Sequence, residues 1–196
     1  MNKNIHYINA LMDNAVDSFS RIFADNVRGK MHHHKHTIIL CIGTDRATGD
    51  SLGPIAGHKL SSSLAEMTLV SVYGTLEKPV HAKNILQTME HIRGAHGNPL
   101  IVAVDACLGK LESVGFLTIG DGPVCPGAGL CKDLPSVGHV SITGIVNISS
   151  GMDFSVLQNT RLHLVMKMAD VIHQGILLGL EHLQIKDDRK RKVSYI

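Results

Sequence analysis

Tryptophan is absent from this chain of 196 residues, and its other aromatics are three tyrosines and four phenylalanines. So few rings argue against the stacking platforms on which proteins hold single-stranded nucleic acid. An excess of one charge is also missing. Nineteen lysines and arginines against seventeen aspartates and glutamates leave a formal net charge of +2. The visible basic segment, Lys186-Asp-Asp-Arg-Lys-Arg-Lys192, reads as a solvated end and not as a nucleic-acid footprint. No apolar run is long enough to span a bilayer, and Met1-Asn-Lys-Asn-Ile-His-Tyr7 lacks the apolar core of a secretion signal. The expectation is a cytoplasmic protein with neither nucleic acid nor membrane as partner.

Cysteine is sparse as well. In a chain without a secretion signal, the four thiols read as reduced. Cys41 and Cys107 fall in or just after apolar runs, where a free cysteine behaves as a small hydrophobe. Cys125 and Cys131 are separated by five residues, not by the two of a zinc knuckle.

What is present suits a folded enzyme-sized domain. Hydrophobic residues make up 44% and charged residues 18%, in a chain long enough to bury a core without disulfides or structural metal. Residues 1–36 read as an N-terminal helix and a histidine-containing linker, and residues 37–196 as the main α/β domain. Leu11, Ala15, Phe19 and Phe23, four apart, predict a helix from about Ile8 to Asn26. Gly29-Lys-Met-His-His-His-Lys-His36 then reads as a solvated linker, because consecutive side chains point in different directions. Thr37–Gly43, Thr68–Tyr73 and Leu100–Val104 are strand-like, with helical segments Ser51–Leu60 and Val80–Ile92 between them. This β-α-β-α-β order implies a parallel sheet with helices on both faces.

Beyond Asp105 the loop to Val114–Ile119 is too short for a crossover helix, so that strand should run antiparallel to its neighbour. A glycine- and proline-bearing stretch from Gly120 to Gly138 follows, then a strand at Val140–Asn147 and one long helix from Phe154 to about Ile185.

Two carboxylates stand where apolar runs give way: Asp50 in Cys41-Ile-Gly-Thr-Asp-Arg-Ala-Thr-Gly-Asp50-Ser-Leu-Gly-Pro54, and Asp105 in Ile101-Val-Ala-Val-Asp105-Ala-Cys-Leu-Gly109. Ligands of open α/β sheets bind beyond the carboxyl ends of the strands, so two acids delivered there are candidates for one site. Singly, each has a plainer reading. Asp50 or Ser51 can cap the next helix, and Asp105 can hydrogen-bond the loop that follows it. Jointly they can share a proton, one acting as base and the other as acid. They can also hold a divalent cation through oxygen, with His139 as nominee for a third ligand. The cofactor expectation is therefore none, or a divalent metal.

The turn Gly43–Gly49 lacks both the dinucleotide fingerprint and a Walker lysine, and Asp45 and Asp50 would repel a phosphate there. Ser51 has no nucleophile elbow around it, and Cys107 has no evident base. Arg46 and Lys132 can meet a substrate carboxylate or an oxyanion. Asp45, Arg46, Lys132 and His139 are thus the candidate substrate contacts, and Asp50 and Asp105 the candidate catalytic pair.

Ile42-Gly-Thr-Asp-Arg-Ala-Thr-Gly-Asp50-Ser-Leu-Gly-Pro54, Val104-Asp-Ala-Cys-Leu-Gly109 and Ser141-Ile-Thr-Gly-Ile-Val-Asn147, in this order, closely resemble the YyaC family of sporulation proteins over about Thr37 to Glu181. That family is similar to the germination protease of spore-forming bacteria and, more distantly, to the hydrogenase maturation endopeptidases. The resemblance implies a three-layer α/β/α sandwich with a mostly parallel sheet and an antiparallel strand. It implies a peptidase of the sporulating cell or forespore, acting on a protein or peptide such as the small acid-soluble spore proteins, as a monomer or homo-oligomer. In the germination protease two aspartates are implicated in cleavage, and the matching positions are Asp50 and Asp105. In the maturation enzymes similar positions, with a histidine, bind the nickel of the substrate. A second expectation, of another class, is a non-catalytic factor that uses the same crevice to bind a peptide or metal.

Overall fold

Thr37-Ile-Ile-Leu-Cys41 is an apolar, β-branched run, and such a strand needs cover on both faces. In the computed structural model, which describes residues 4–126 and 135–184, all five of its residues are buried. The elements in chain order are β1 (Ile5–Asn9), α1 (Ala15–Met31), β2 (Thr37–Cys41), α2 (Leu52–Ser63), β3 (Val70–Tyr73) and α3 (Ile85–His96). Then come β4 (Leu100–Gly109), β5 (Phe116–Asp121), β6 (Val140–Ile148), α4 (Asp153–Gln158) and α5 (Leu162–His182). The strands form one sheet in the order β1-β5-β6-β4-β2-β3. Among them β5 alone runs against its neighbours, pairing antiparallel with both β1 and β6.

Alternation along the strands sends side chains to two separate cores. On one face Ile39, Val102, Val104 and Ile142 meet Phe19 and Phe23 of α1, Leu52 and Leu60 of α2, and Met168 and Ile172 of α5. On the other, Ile38, Leu40, Ile101 and Ala103 meet Ile85, Met89 and Ile92 of α3. The result is the expected three-layer α/β/α arrangement with one antiparallel strand. Full burial of each such side chain contributes about 1.5–3 kcal/mol.

Three elements differ from the sequence expectation. Ile8 belongs to a strand, not a helix: it pairs with Leu117 of β5, and the helix starts only at Ala15 and runs to Met31, past Asn26 and into the segment read as a linker. The Asn9 side chain accepts the Leu11 N–H at 3.0 Å as the chain turns, and Leu11 is left exposed. The second crossover helix begins at Ile85, so Val80 to Asn84 form a loop. The final helix is interrupted between Gln158 and Leu162. Asn147 of β6 donates to Val156 O at 3.4 Å and to Thr160 Oγ1 at 3.2 Å, and Arg161 is extended. Each difference comes from a partner distant in sequence, which periodicity does not register. The tail from Lys186 to Lys192 and Cys131 lie outside the described residues.

The join of β2 to α2 is built on backbone contact. Gly43 has φ of 141°, and a Cβ there would lie 2.0 Å from the Asp50 carbonyl oxygen. A Cβ on Gly53 would lie 2.1 Å from the Ile42 carbonyl oxygen. These glycines let the start of α2 sit directly on the end of β2. Gly53→Ala is expected to lower stability by about 1–3 kcal/mol despite alanine's better helix propensity, because backbone has to move. Urea unfolding with an unchanged m-value measures it; wild-type stability in the variant would show that the contact is looser than described.

Candidate active site

β2 feeds α2 on one face and β3, while β4 lies on the other side of β2 after α3 on the opposite face. The crevice between the carboxyl ends of β2 and β4 is therefore the topological switch point, where such sheets bind ligands. Asp50 and Asp105 both line it. They share a cavity of about 190 Å³ with Gly43, Thr44, Arg46, His81 and Lys83.

Asp50 stands on a short 3-10 turn, Gly49–Ser51, ahead of α2. Ser51 is the residue before the helix, and no side-chain cap bond forms there; the Ser51 hydroxyl donates back to Thr48 O at 2.6 Å. The capping role open in the sequence is thus taken by neither residue. Instead the turn is closed by its backbone, Thr44 N–H donating to Asp50 O at 3.1 Å, and the carboxylate faces the cavity.

Asp105 does not end its strand. β4 continues to Gly109 because β6 keeps pairing with it, Asp105 opposite Thr143, with an irregularity after Cys107. On the other side the ladder with β2 stops at Cys41 opposite Val104. Asp105 is therefore the first residue of β4 past the end of β2, interior to one ladder and at the mouth of the crevice on the other. Its Oδ1 accepts the N–H of Ala106, its own neighbour, at 2.8 Å, and not a donor from the following loop. It is the one carboxylate among the buried polar residues described, 9% exposed. A buried carboxylate needs a counter-charge or a proton.

Burial pushes the Asp105 carboxyl well above the usual carboxylate range, the nearby charge of Asp50 pushes it further, and the Ala106 amide only partly opposes them. Burial also raises Asp50, but the Thr44 backbone amide and attraction to His81 counter it. The pair is thus electrostatically unequal: Asp105 holds its proton more tightly, and Asp50 is the readier to ionise.

His81 was not a sequence candidate. Val80 makes an isolated parallel bridge with Ile42, and its carbonyl accepts the Gly43 N–H at 2.8 Å, which fixes the next residue beside the crevice. The His81 N–H donates to Asn84 Oδ1 at 2.8 Å, and His81 Nδ1 accepts the Lys83 N–H at 3.3 Å. A signal existed, since His81 is a histidine that follows a parallel strand and so falls at the carboxyl edge. The nominee His139 immediately precedes one, β6, and so falls at the amino edge. There its N–H donates to Ile101 O at 2.7 Å and its Nδ1 accepts the Ile101 N–H at 3.0 Å. Ile101 is four residues, roughly 13 Å along the strand, from Asp105. The structure thus does not bring His139 to the acids.

Arg46 lines the cavity as expected. Asp45 does not; it is exposed and faces a neighbouring hollow with Thr48, His58 and Lys59. Lys132 and the middle of its loop lie outside the described residues. Lys83, missed in the sequence, supplies a second cation at the cavity. Among the described residues no group of three or more His, Cys, Asp or Glu side chains is placed to hold a metal ion. No helix among them is long and apolar enough to cross a membrane.

Fold and site define an α/β protein with a coupled carboxyl pair at its switch point. The chain belongs to the family described as protein of unknown function (DUF1256), whose model matches residues 7–175. It is 55% identical over 144 residues to the uncharacterized protein YyaC of Bacillus subtilis (strain 168), covering 74% of this chain and 69% of that one. The resemblance read from the three motifs is thereby borne out. Among solved structures it is similar to the [NiFe] hydrogenase maturation protease HycI from Thermococcus kodakarensis KOD1. The TM-score is 0.48 at 14% identity, over 77% of this chain and 98% of that one.

The raised Asp105 has a thermodynamic consequence. Its folded pKa exceeds its unfolded one, so the folded chain keeps a proton that the unfolded chain loses. Stability is therefore lost as pH rises from about 4, the unfolded value, towards the folded value. Asp105→Asn keeps the oxygen that accepts from Ala106 and removes the ionisation. Its melting temperature is expected to gain on wild type as pH climbs from about 4 to neutrality. A difference that does not change with pH would show that Asp105 titrates normally.

Proposed function

We propose that this chain is a peptidase in which Asp50 and Asp105 jointly activate water. The observation that carries the reading is the unequal carboxyl pair lining one cavity at the switch point, with Arg46 and Lys83 beside it. Ionised Asp50 takes a proton from water as the oxygen adds to the amide carbon. Protonated Asp105 passes its proton to the carbonyl oxygen, giving a neutral gem-diol. When the C–N bond breaks, Asp50 delivers its proton to the leaving nitrogen and Asp105 recovers one from a gem-diol hydroxyl, so one water is consumed for each amide cleaved. Arg46 and Lys83 are the described cations available to the developing negative charge.

Family membership with YyaC, together with the resemblance of that family to the germination protease, supports a protein substrate of the sporulating cell, with small acid-soluble spore proteins as the first to try. On this reading the enzyme works in the cytoplasm of the forespore or sporulating cell.

The test is incubation with a protein extract of sporulating cells and identification of newly formed termini. Asp50→Asn and Asp105→Asn are each expected to lose about 10²–10⁴-fold in rate while remaining folded. Cleavage by both variants at the wild-type rate would refute the reading. The pH–rate profile is expected to fall on the acid side as Asp50 gains a proton and on the alkaline side as Asp105 loses one. Both limbs should lie above the ordinary aspartate range, since both groups are raised.

A further inference from the structure

The catalytic cavity, at about 190 Å³, is smaller than the roughly 300–1,000 Å³ of sites that grip a ligand by themselves. Next to it lies a groove of about 760 Å³ that shares His81 as a wall. Val72 and Tyr73, whose side chains point to opposite faces of the sheet, both line it, so it runs along the edge of the sheet and not over one face. That edge is β3, the outermost strand, paired only with β2. Thr37 N–H donates to Leu69 O at 2.9 Å; by the alternation of a parallel ladder the amide and carbonyl of Val72 then face outward, away from β2, whereas Val70, which shares that orientation, is buried and does not line the groove. Outward main-chain groups on an edge strand are a template for one more strand, and Val72 is the residue of β3 that offers them to the groove. The opposite wall is α3, which presents Gln87 and His91. Lys78 and His91 stand on the rim and no carboxylate lines the groove.

We propose that this groove holds the substrate polypeptide as an extended strand added to β3, leading the scissile bond past His81 to Asp50 and Asp105. The main chain supplies affinity through hydrogen bonds to Val72, and the groove wall supplies selectivity, disfavouring lysine and arginine in the segment beside Lys78. For what happens at the aspartates, the proposal rests on the peptidase reading. For where the chain lies, it rests on β3 alone.

Binding tests it independently of cleavage. Random dodecapeptides displayed on phage are selected on the Asp105→Asn protein, and the enriched peptides are measured by fluorescence anisotropy. Val72→Pro removes the outward N–H without touching the β2 ladder, as proline is tolerated on an edge strand. Gln87→Trp fills the groove from an exposed helix position, and thermal melts check that both variants fold. Each substitution is expected to weaken binding at least tenfold, a lysine scan of the peptide should find weakened positions, and hydrogen exchange at Val72 should slow on binding. Failure to select any peptide, or binding within twofold of the parent in both variants, would overturn the proposal. Loss in Gln87→Trp but not in Val72→Pro would overturn strand addition. Binding that follows these expectations while no peptide is cleaved by the unmutated chain would refute the peptidase reading and leave the groove standing.

Discussion

The burial of one carboxyl group on the central strand governs the site. β4 outruns β2 from the residue that carries it onward, because β6 continues to pair where β2 has turned away into Gly43. Asp105 is thereby held by a ladder on one side and opened to a crevice on the other. Its low-polarity surroundings make ionisation costly, and the second acid across the crevice makes it costlier. Two residues of the same chemical type thus acquire different proton affinities by position alone. On the peptidase proposal, this asymmetry lets one serve as base and the other as acid.

The second acid is placed by backbone packing. Asp50 faces the cavity because its carbonyl is tied to Thr44 and because Gly43 and Gly53 bring the end of β2 and the start of α2 within contact of each other. Side-chain capping, the usual occupation of an acid before a helix, is not what holds it. The electrostatics of the pair therefore depend on steric detail two residues wide on either side, and the cations Arg46 and Lys83 complete the cavity from the loops after β2 and β3.

Much of this could be read from the chain. The alternation of β-branched runs with amphipathic segments predicts a parallel sheet, and the short loop before Val114 predicts the antiparallel strand. Both acids stand out, because an aspartate directly after Ile-Val-Ala-Val or within a glycine-rich turn has no evident packing role. His81 was legible in principle: a residue following a parallel strand and one preceding it lie at opposite edges of a sheet, which separates His81 from His139. Applying that rule requires knowing that Val80 to Asn84 is loop and not helix, and the apolar spacing of this segment suggests helix. The amino-terminal strand and the break before Leu162 were not legible, since β5 and Asn147, which cause them, act from far away in sequence.

By itself, then, the sequence determined the layers, the strand directions and the presence of two acids after the first and third of the strands it predicted, because local periodicity and glycine placement are enough to specify them. Only the tertiary structure decided that the acids share a cavity, which one holds its proton more tightly, which histidine stands beside them, and that a groove at the edge of β3 adjoins them. Those properties are set by burial and by distances between segments remote in the chain, and neither quantity exists until the sheet has closed.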